Sequence, residues 1–146
     1  MYHAIMKAKE EIFIADWFLS PQVFLIREDE NGIPILKNQD YRLDVVLKNK
    51  AMEGVKIYVL PWNETKIALS LNSRFAQETL EKLHPNIKVQ RHPLANPIKW
   101  SHHQKLLIVD QCVAFVGGLD LCFGRYDNKS HLLSDLSNSQ TWKGKE

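Results

Sequence analysis

The sequence predicts a layered α-β-α domain of the α/β class with a mixed central sheet. Helical segments alternate with short apolar segments, which is typical of helices packed on a sheet. The last two apolar segments are separated only by a short turn at Asp110-Gln111. With 146 residues, of which 45% are hydrophobic and 25% charged, the chain is long enough for one domain with a core of its own.

The first four elements are two helices and two strands, with one long loop. AIMKAKEE is typical of the end of a helix, and EIFIADWFL of a buried strand. Residues 20–40 mix proline, Asn31-Gly32 and charges, which predicts an irregular loop with a small hairpin. YRLDVVLKNKAMEG predicts an amphipathic helix that ends at Gly54, and VKIYVLP predicts a strand that ends at Pro61.

The remaining elements are one helix and three strands. ETKIALSLNSRFAQETLEKL predicts a helix in which Ile67, Leu71 and Phe75 recur every four residues. NIKVQRH, KLLIVD and CVAFVGG predict three further strands. The predicted order is therefore α-β-α-β-α-β-β-β. We expect residues 1–135 to form the domain and the polar residues 136–146 to form a tail.

Composition excludes several classes of protein. The formal net charge of +2 is too small to favour a nucleic-acid partner. No stretch of the sequence approaches the ~18 apolar residues of a membrane span. Cys112 and Cys122 lie in apolar neighbourhoods and predict two reduced core thiols. There is no Cys-x-x-Cys pair, so a structural zinc site is not indicated.

One pair of residues, His103 and Lys105, is the candidate catalytic pair. Residues two apart on a strand share a face, so we expect these side chains to project together, shielded by Trp100 and the helices. An ammonium beside an imidazole favours the neutral, nucleophilic ring and stabilises an anion such as a phosphate. Gly117 and Gly118 would let the backbone approach a ligand closely.

A histidine that attacks phosphorus also needs a carboxylate to fix its tautomer. The downstream candidates are Asp110, Asp120, Asp127 and Asp135. A bare His-x-Lys pair also has a structural interpretation, with a histidine at a strand end and a lysine at a sheet edge.

The wider context favours the catalytic interpretation. The string His103-x-Lys105-x-x-x-x-Asp110, followed by Gly117-Gly118, resembles the HKD motif of the phospholipase D superfamily. Asp120 stands where many members have asparagine. The first motif of the eukaryotic phospholipases D commonly has aspartate there.

Separate blocks of sequence extend the resemblance from about residue 8 to residue 135. They resemble the first catalytic half of the eukaryotic phospholipases D that hydrolyse phosphatidylcholine. The blocks are AKEEIFIADWFLSP, LHPNIKVQRHP, HHQKLLIVDQCVAFVGGLDLCFGRYD and HLLSD. The resemblance therefore implies a phospholipase D-like half-domain that carries a single HKD motif.

The resemblance also implies a role for each motif residue. His103 would be the nucleophile that forms a phosphohistidine, and Lys105 would bind the non-bridging phosphate oxygens. Asp110 would be the motif acid, with a structural role rather than direct proton transfer, and Asp135 would orient the nucleophile. The expected substrate-binding residues are Lys105, Gly117, Gly118 and Trp100.

The implied activity is hydrolysis of the distal phosphodiester bond of phosphatidylcholine to phosphatidic acid and choline, with transfer to alcohols. The family needs no metal or other cofactor for this chemistry, because lysine takes the place of a cation, and the resemblance admits a phosphoinositide activator. We expect a phospholipid substrate at a membrane surface. We also expect a cytoplasmic, peripheral location, since the N-terminus lacks a signal-peptide core and the family acts at cytosolic membrane faces.

The mechanism needs two His-Lys pairs, and this chain has one. His84, His92 and His131 are not followed by a lysine two residues later, and they are interpreted as loop or surface residues. Three hypotheses follow. The chain is half of a two-motif phospholipase D that is inactive alone, a one-motif phosphodiesterase that dimerises like the superfamily's small bacterial nucleases, or a non-catalytic module that binds lipid or protein.

Two features help to weigh these hypotheses. The flanking blocks favour a phospholipid over a nucleic acid as substrate. A binding module could use a basic face, but the scatter of its candidate residues favours an ordinary solvated surface. These residues are Lys37, Lys48, Lys50, Lys56 and Arg91.

Overall fold

The computed structural model describes residues 1–29, 31, 33, 35, 38–64, 71–93, 100–125, 127 and 131. Within these ranges the helices are α1 (Tyr2–Lys7), α2 (Leu43–Met52) and α3 (Ser73–Glu81). The strands are β1 (Glu11–Asp16), β2 (Lys56–Pro61), β3 (Ile87–Val89), β4 (Leu106–Val109) and β5 (Val113–Val116). The predicted order of elements is confirmed. The predicted tail at 136–146 lies outside the described residues.

The strands form one mixed sheet with the order β3-β2-β1-β4-β5. β1 pairs in parallel with β2, and β2 with β3, whereas β4 is antiparallel to both β1 and β5. The predicted mixed sheet is therefore confirmed. The carboxyl ends of β1, β2, β3 and β5 and the amino end of β4 lie at the same edge of this sheet, which we call the carboxyl edge.

One face of the sheet carries the core. Ile12 and Ile14 alternate with half-buried residues along β1 and are matched by buried residues on β2, β3 and β4. All three helices contribute to this core, with Ile5, Leu47 and Leu80 among their buried residues. α2 is the longest described helix at 10 residues, and none of the described helices is long and apolar enough to cross a membrane.

The opposite face of the sheet is less covered. Phe13 and Tyr58 stack there with ring centroids 5.1 Å apart, and Tyr58 is 38% exposed. Together with Ile108 these residues line a groove of about 490 Å³. Within the described ranges, helices pack on the core face alone, so the second helical layer of the predicted α-β-α arrangement is not among them.

The third helix differs from its prediction. It begins at Ser73, directly after Asn72, whose φ of 54° is left-handed. The buried positions are Ser73, Ala76 and Leu80, whereas Phe75 is 43% exposed. The predicted stripe through Phe75 is wrong, because its spacing was counted across the point where the helix starts.

The long loop after β1 contains the predicted hairpin. The N–H of Asp29 donates to the carbonyl of Ile33, and the N–H of Ile35 donates to the carbonyl of Arg27, both at 2.9 Å. Gly32, at the predicted tip, lies outside the described residues.

The two cysteines differ in their exposure. Cys122 is fully buried, but Cys112 is exposed in the turn between β4 and β5. The prediction of two core thiols is therefore wrong for Cys112, because the residue belongs to the turn rather than to the strand.

Candidate active site

The strand directions bring the candidate residues to the carboxyl edge. Trp17, Trp62 and His92 follow β1, β2 and β3, which run in parallel. β4 runs the opposite way, so the segment before it, which contains Lys105, meets the same edge. β5 returns to this edge, where the N–H of Gly117 donates to the carbonyl of Lys105 at 3.3 Å.

His103 and Lys105 both contact the ring of Trp17. The imidazole and indole centroids are 5.1 Å apart, and Lys105 Nζ lies 5.7 Å from the indole centroid, within the range of a cation–π contact. His103 is exposed, whereas Lys105 is 7% exposed. The two side chains therefore meet on one ring, although they precede β4 rather than lie within it.

Trp100 does not shield this pair. Its side chain is 72% exposed, and Trp17 provides the aromatic cover instead. The prediction of a shielding Trp100 is wrong because this residue lies before the strand, where the sheet register does not fix its side chain. Its assignment as a substrate-binding residue stays a prediction.

Lys105 forms a buried ion pair with Asp120. Lys105 Nζ lies 2.7 Å from Asp120 Oδ1, and the two side chains are 6% and 3% exposed. Burial alone would raise the pKa of Asp120, but the hydrogen bond from Asp16 and the Lys105 ammonium lower it. Asp120 is thus the ionised partner of Lys105.

Asp110 lies at the other end of β4, roughly 16 Å from Lys105 at about 3.3 Å per residue. Its carboxylate accepts the backbone N–H groups of Lys9, Glu10 and Glu11 at 2.8, 2.9 and 2.9 Å. Burial acts to raise the pKa of Asp110, but these three donors lower it below its usual range. Asp110 therefore anchors the β4–β5 turn to the start of β1, and its assignment to the catalytic site stays a prediction.

Replacement of Asp110 by asparagine is expected to destabilise the fold by about 2 kcal/mol. Asparagine keeps the size of the side chain, but it has no charge and a single acceptor oxygen for three donors. Urea unfolding measures the loss, with the exposed Asp40→Asn variant as the control. A variant as stable as the wild type would contradict the anchoring role.

The other two carboxylates predicted as partners of His103 are Asp127 and Asp135. Asp127 Oδ1 lies 2.8 Å from the Nδ1 atom of His131. Asp135 lies outside the described residues, so its role in orienting the nucleophile stays a prediction.

His102 is held by two aromatic neighbours. Its ring centroid is 4.9 Å from that of His92 and 5.8 Å from that of Trp62. Burial, followed by the nearby His92, lowers the pKa of His102, which keeps the ring neutral at pH 7. The interpretation of His92 as an ordinary loop residue missed this contact, because it joins the ends of strands that are distant in sequence.

A cleft of about 280 Å³ opens beside Lys105 and is also lined by Asp16, Gly117 and Gly118. A Cβ atom on either glycine would meet nothing within 4 Å, so the fold itself leaves this space open. Trp17 Nε1 is a buried donor that has no hydrogen-bond partner among the described residues. Buried donors without partners indicate a place for a ligand or a further part of the site. In the described ranges, no group of three His, Cys, Asp or Glu side chains is placed to hold a metal ion.

Comparison with known proteins identifies the family. The sequence model of the family described as Phospholipase D matches residues 4–143. The chain is 56% identical over 143 residues to phospholipase D A of Dictyostelium discoideum, which covers 98% of this chain and 11% of that protein. It is 47% identical over 139 residues to phospholipase D1 of Homo sapiens, which covers 93% of this chain and 12% of that protein. The chain therefore belongs to the phospholipase D family.

The fold is similar to that of a solved family member. Nuc from Salmonella typhimurium matches with a TM-score of 0.54 and 14% sequence identity, over 83% of this chain and 62% of that one. This likeness confirms the predicted α/β fold class.

Proposed function

We propose that this chain supplies one half of a phosphodiester-cleaving site that acts on a phospholipid. The main support is that an exposed imidazole and a buried ammonium meet on the Trp17 ring beside an open cleft. The names of the relatives support phospholipase D activity. The proposed reaction is hydrolysis of phosphatidylcholine to phosphatidic acid and choline.

The proposed mechanism has two displacements at phosphorus. A ring nitrogen of His103 attacks phosphorus and forms an N–P bond while the P–O bond to choline breaks. The histidine of a second His-Lys pair donates a proton to the leaving oxygen and then takes one from water. That water attacks phosphorus, the N–P bond breaks, and phosphatidic acid leaves. The Lys105 ammonium supplies positive charge to the phosphate oxygens throughout, so we propose no metal ion.

The second His-Lys pair must come from outside this chain, whose sequence contains a single His-x-Lys string. We propose that it belongs to a longer polypeptide that includes this domain. The chain spans 11% and 12% of two of its relatives, which leaves ample length in those proteins for a second half. A second copy of the chain is the alternative source.

The structure gives little support to the non-catalytic binding module. Lys50, one of the residues considered for a basic face, is 1% exposed and forms an ion pair with Glu53. Arg91 donates to the Ser73 hydroxyl at 2.8 Å, and Lys37 lies outside the described residues. A phosphoinositide activator, a lipid surface as partner and a cytoplasmic, peripheral location stay predictions.

Phosphatidylcholine vesicles with a primary alcohol provide the test of this function. We expect the active assembly to form the phosphatidyl ester of the alcohol, because a phosphohistidine can be captured by an alcohol in place of water. The term active assembly means the species that cleaves phosphatidylcholine, which is either the chain combined with a second His-Lys half or the chain alone. The phosphatidyl ester is measured by mass spectrometry, and the reaction contains a metal chelator because the proposed mechanism uses no metal ion.

The controls distinguish the alternatives. A tertiary alcohol, too crowded to attack phosphorus, should give phosphatidic acid only. Turnover by the chain alone, with sedimentation at ~34 kDa rather than 17.0 kDa, would favour the homodimer. Diacylglycerol and phosphocholine as products would contradict the proposal, since they arise from cleavage of the other phosphodiester bond. Cleavage of single-stranded DNA without cleavage of lipid would favour the nuclease.

A further inference from the structure

We propose that Asp16 is a positioning residue for Lys105. As a neutral acid, Asp16 donates a hydrogen bond to the carboxylate of Asp120 and so fixes the partner of the Lys105 ammonium. No motif or spacing in the sequence singles out Asp16, the last residue of β1. The inference rests on the proposed function, because it assumes that Lys105 binds the phosphate.

Asp16 is held rigidly at the carboxyl edge. Its side chain is 1% exposed. One oxygen accepts the N–H of Leu121 at 2.7 Å and the other accepts the N–H of Trp17 at 2.9 Å. A residue of β1 thereby holds both the backbone of Trp17 and the loop that carries Asp120.

The carboxyl groups of Asp16 and Asp120 lie side by side, because Asp16 accepts the N–H of Leu121, the residue after Asp120, and Asp120 accepts the N–H of Phe18 at 3.2 Å, two residues after Asp16. Two carboxyl groups in contact require a proton between them, because two adjacent carboxylates repel. Burial and the contact with Asp120 raise the pKa of Asp16 to about 8. A neutral Asp16, an ionised Asp120 and a charged Lys105 leave this buried group without net charge.

Among the described residues, two further charged groups lie near Asp16. Arg125 Nε lies 3.8 Å from the far oxygen of Asp120, on the solvent side. The chain terminus at Met1 lines the same cleft as Asp16 and Lys105. Lys105 is therefore the close buried cation, and a second negative charge on Asp16 would compete with a bound phosphate for it.

The protonation of Asp16 is tested directly by carbon-13 NMR of the aspartate carboxyl groups. We expect one resonance, absent from the Asp16→Asn variant, to titrate near pH 8. Titration of that resonance near pH 4, the ordinary range for aspartate, would overturn the proposal.

Thermal unfolding gives a second, independent test. The folded protein keeps a proton on Asp16 that the unfolded chain releases above about pH 4, so this stability is full at low pH and is lost as the pH rises toward 8. The Tm of Asp16→Asn minus the Tm of the wild type should therefore increase by at least about 5 °C between pH 5 and pH 8. The comparison removes the contribution of His102, which is the same in both proteins. A constant Tm difference would overturn the proposal.

Activity separates positioning from simple structural support. Asp16→Asn retains a donor for Asp120 and an acceptor for Leu121 and loses only the acceptor for the N–H of Trp17. The active assembly should therefore keep its rate at pH 7 within about threefold, whereas Asp16→Ala should lose about 10²-fold. Asp44→Asn is the matched control, because Asp44 is 7% exposed and pairs with Arg42 away from the site. Equal losses in the asparagine and alanine variants would overturn the proposal.

These measurements also distinguish the two proposals. NMR and thermal unfolding use the chain without substrate. Absence of any phosphatidyl product, combined with titration near pH 8, would reject the proposed function and leave the state of Asp16 established. If Asp16→Ala does not fold, the asparagine variant and the titration still decide.

Discussion

Replacement of His103 by asparagine is expected to lower phosphodiester turnover by about 10⁴-fold in the active assembly. Asparagine is similar in size and polarity, but it cannot form the N–P bond of the covalent intermediate. Since His103 is exposed and contacts its neighbours mainly through the Trp17 ring, stability should change by less than about 1 kcal/mol. The loss would therefore be one of chemistry and not of folding.

The measurement combines rate with detection of the intermediate. Acid-labile phosphate on histidine should appear in the wild type after rapid quenching and be absent from the His103→Asn variant. His84→Asn is the control, because His84 lies at the opposite end of β3 from the carboxyl edge and its Nδ1 accepts the N–H of Asn86 at 3.1 Å. Retention of the full rate by the His103 variant would rule out this nucleophile.

The fold class and the His103–Lys105 pair could be predicted from the sequence because both depend on local patterns. Alternation of helical and apolar segments determined the order of the elements, and the short Asp110-Gln111 turn determined an antiparallel pair. His103 and Lys105 are two residues apart, so their proximity follows from any extended backbone. The aromatic residue that covers this pair was predicted to be Trp100, whereas in the structure it is Trp17.

The supporting contacts could not be predicted, since they join residues far apart in the chain. Asp16 and Leu121 are separated by 105 positions, and Asp110 reaches Glu10 across 100. Asp120 could be identified only as one of four candidate partners of His103, whereas the structure pairs it with Lys105. Which buried charges meet depends on the order of strands in the sheet, and no periodicity in one segment records that order.

The pairing of Asp120 with Lys105 leads to the second large effect. Lys105→Met is expected to lower turnover by at least about 10³-fold and to destabilise the fold by about 3 kcal/mol. Methionine preserves much of the buried volume, but it removes the charge that binds phosphate and leaves Asp120 buried without its ammonium. Equilibrium unfolding in urea and the transfer assay measure the two losses separately. Arg42→Met is the matched control, because the Arg42–Asp44 pair is more exposed and its loss should cost about 1 kcal/mol.

The double variant Lys105→Met, Asp120→Asn separates the two roles of the lysine. Both charges are then absent, and the introduced amide still offers a carbonyl oxygen to the acid of Asp16, so most of the lost stability should return. Turnover should stay as low as in Lys105→Met, because nothing replaces the positive charge at the phosphate oxygens. Recovery of turnover together with stability would show that Lys105 acts only through the fold. Recovery of stability alone would show that the ion pair holds in the cleft a charge that the reaction uses.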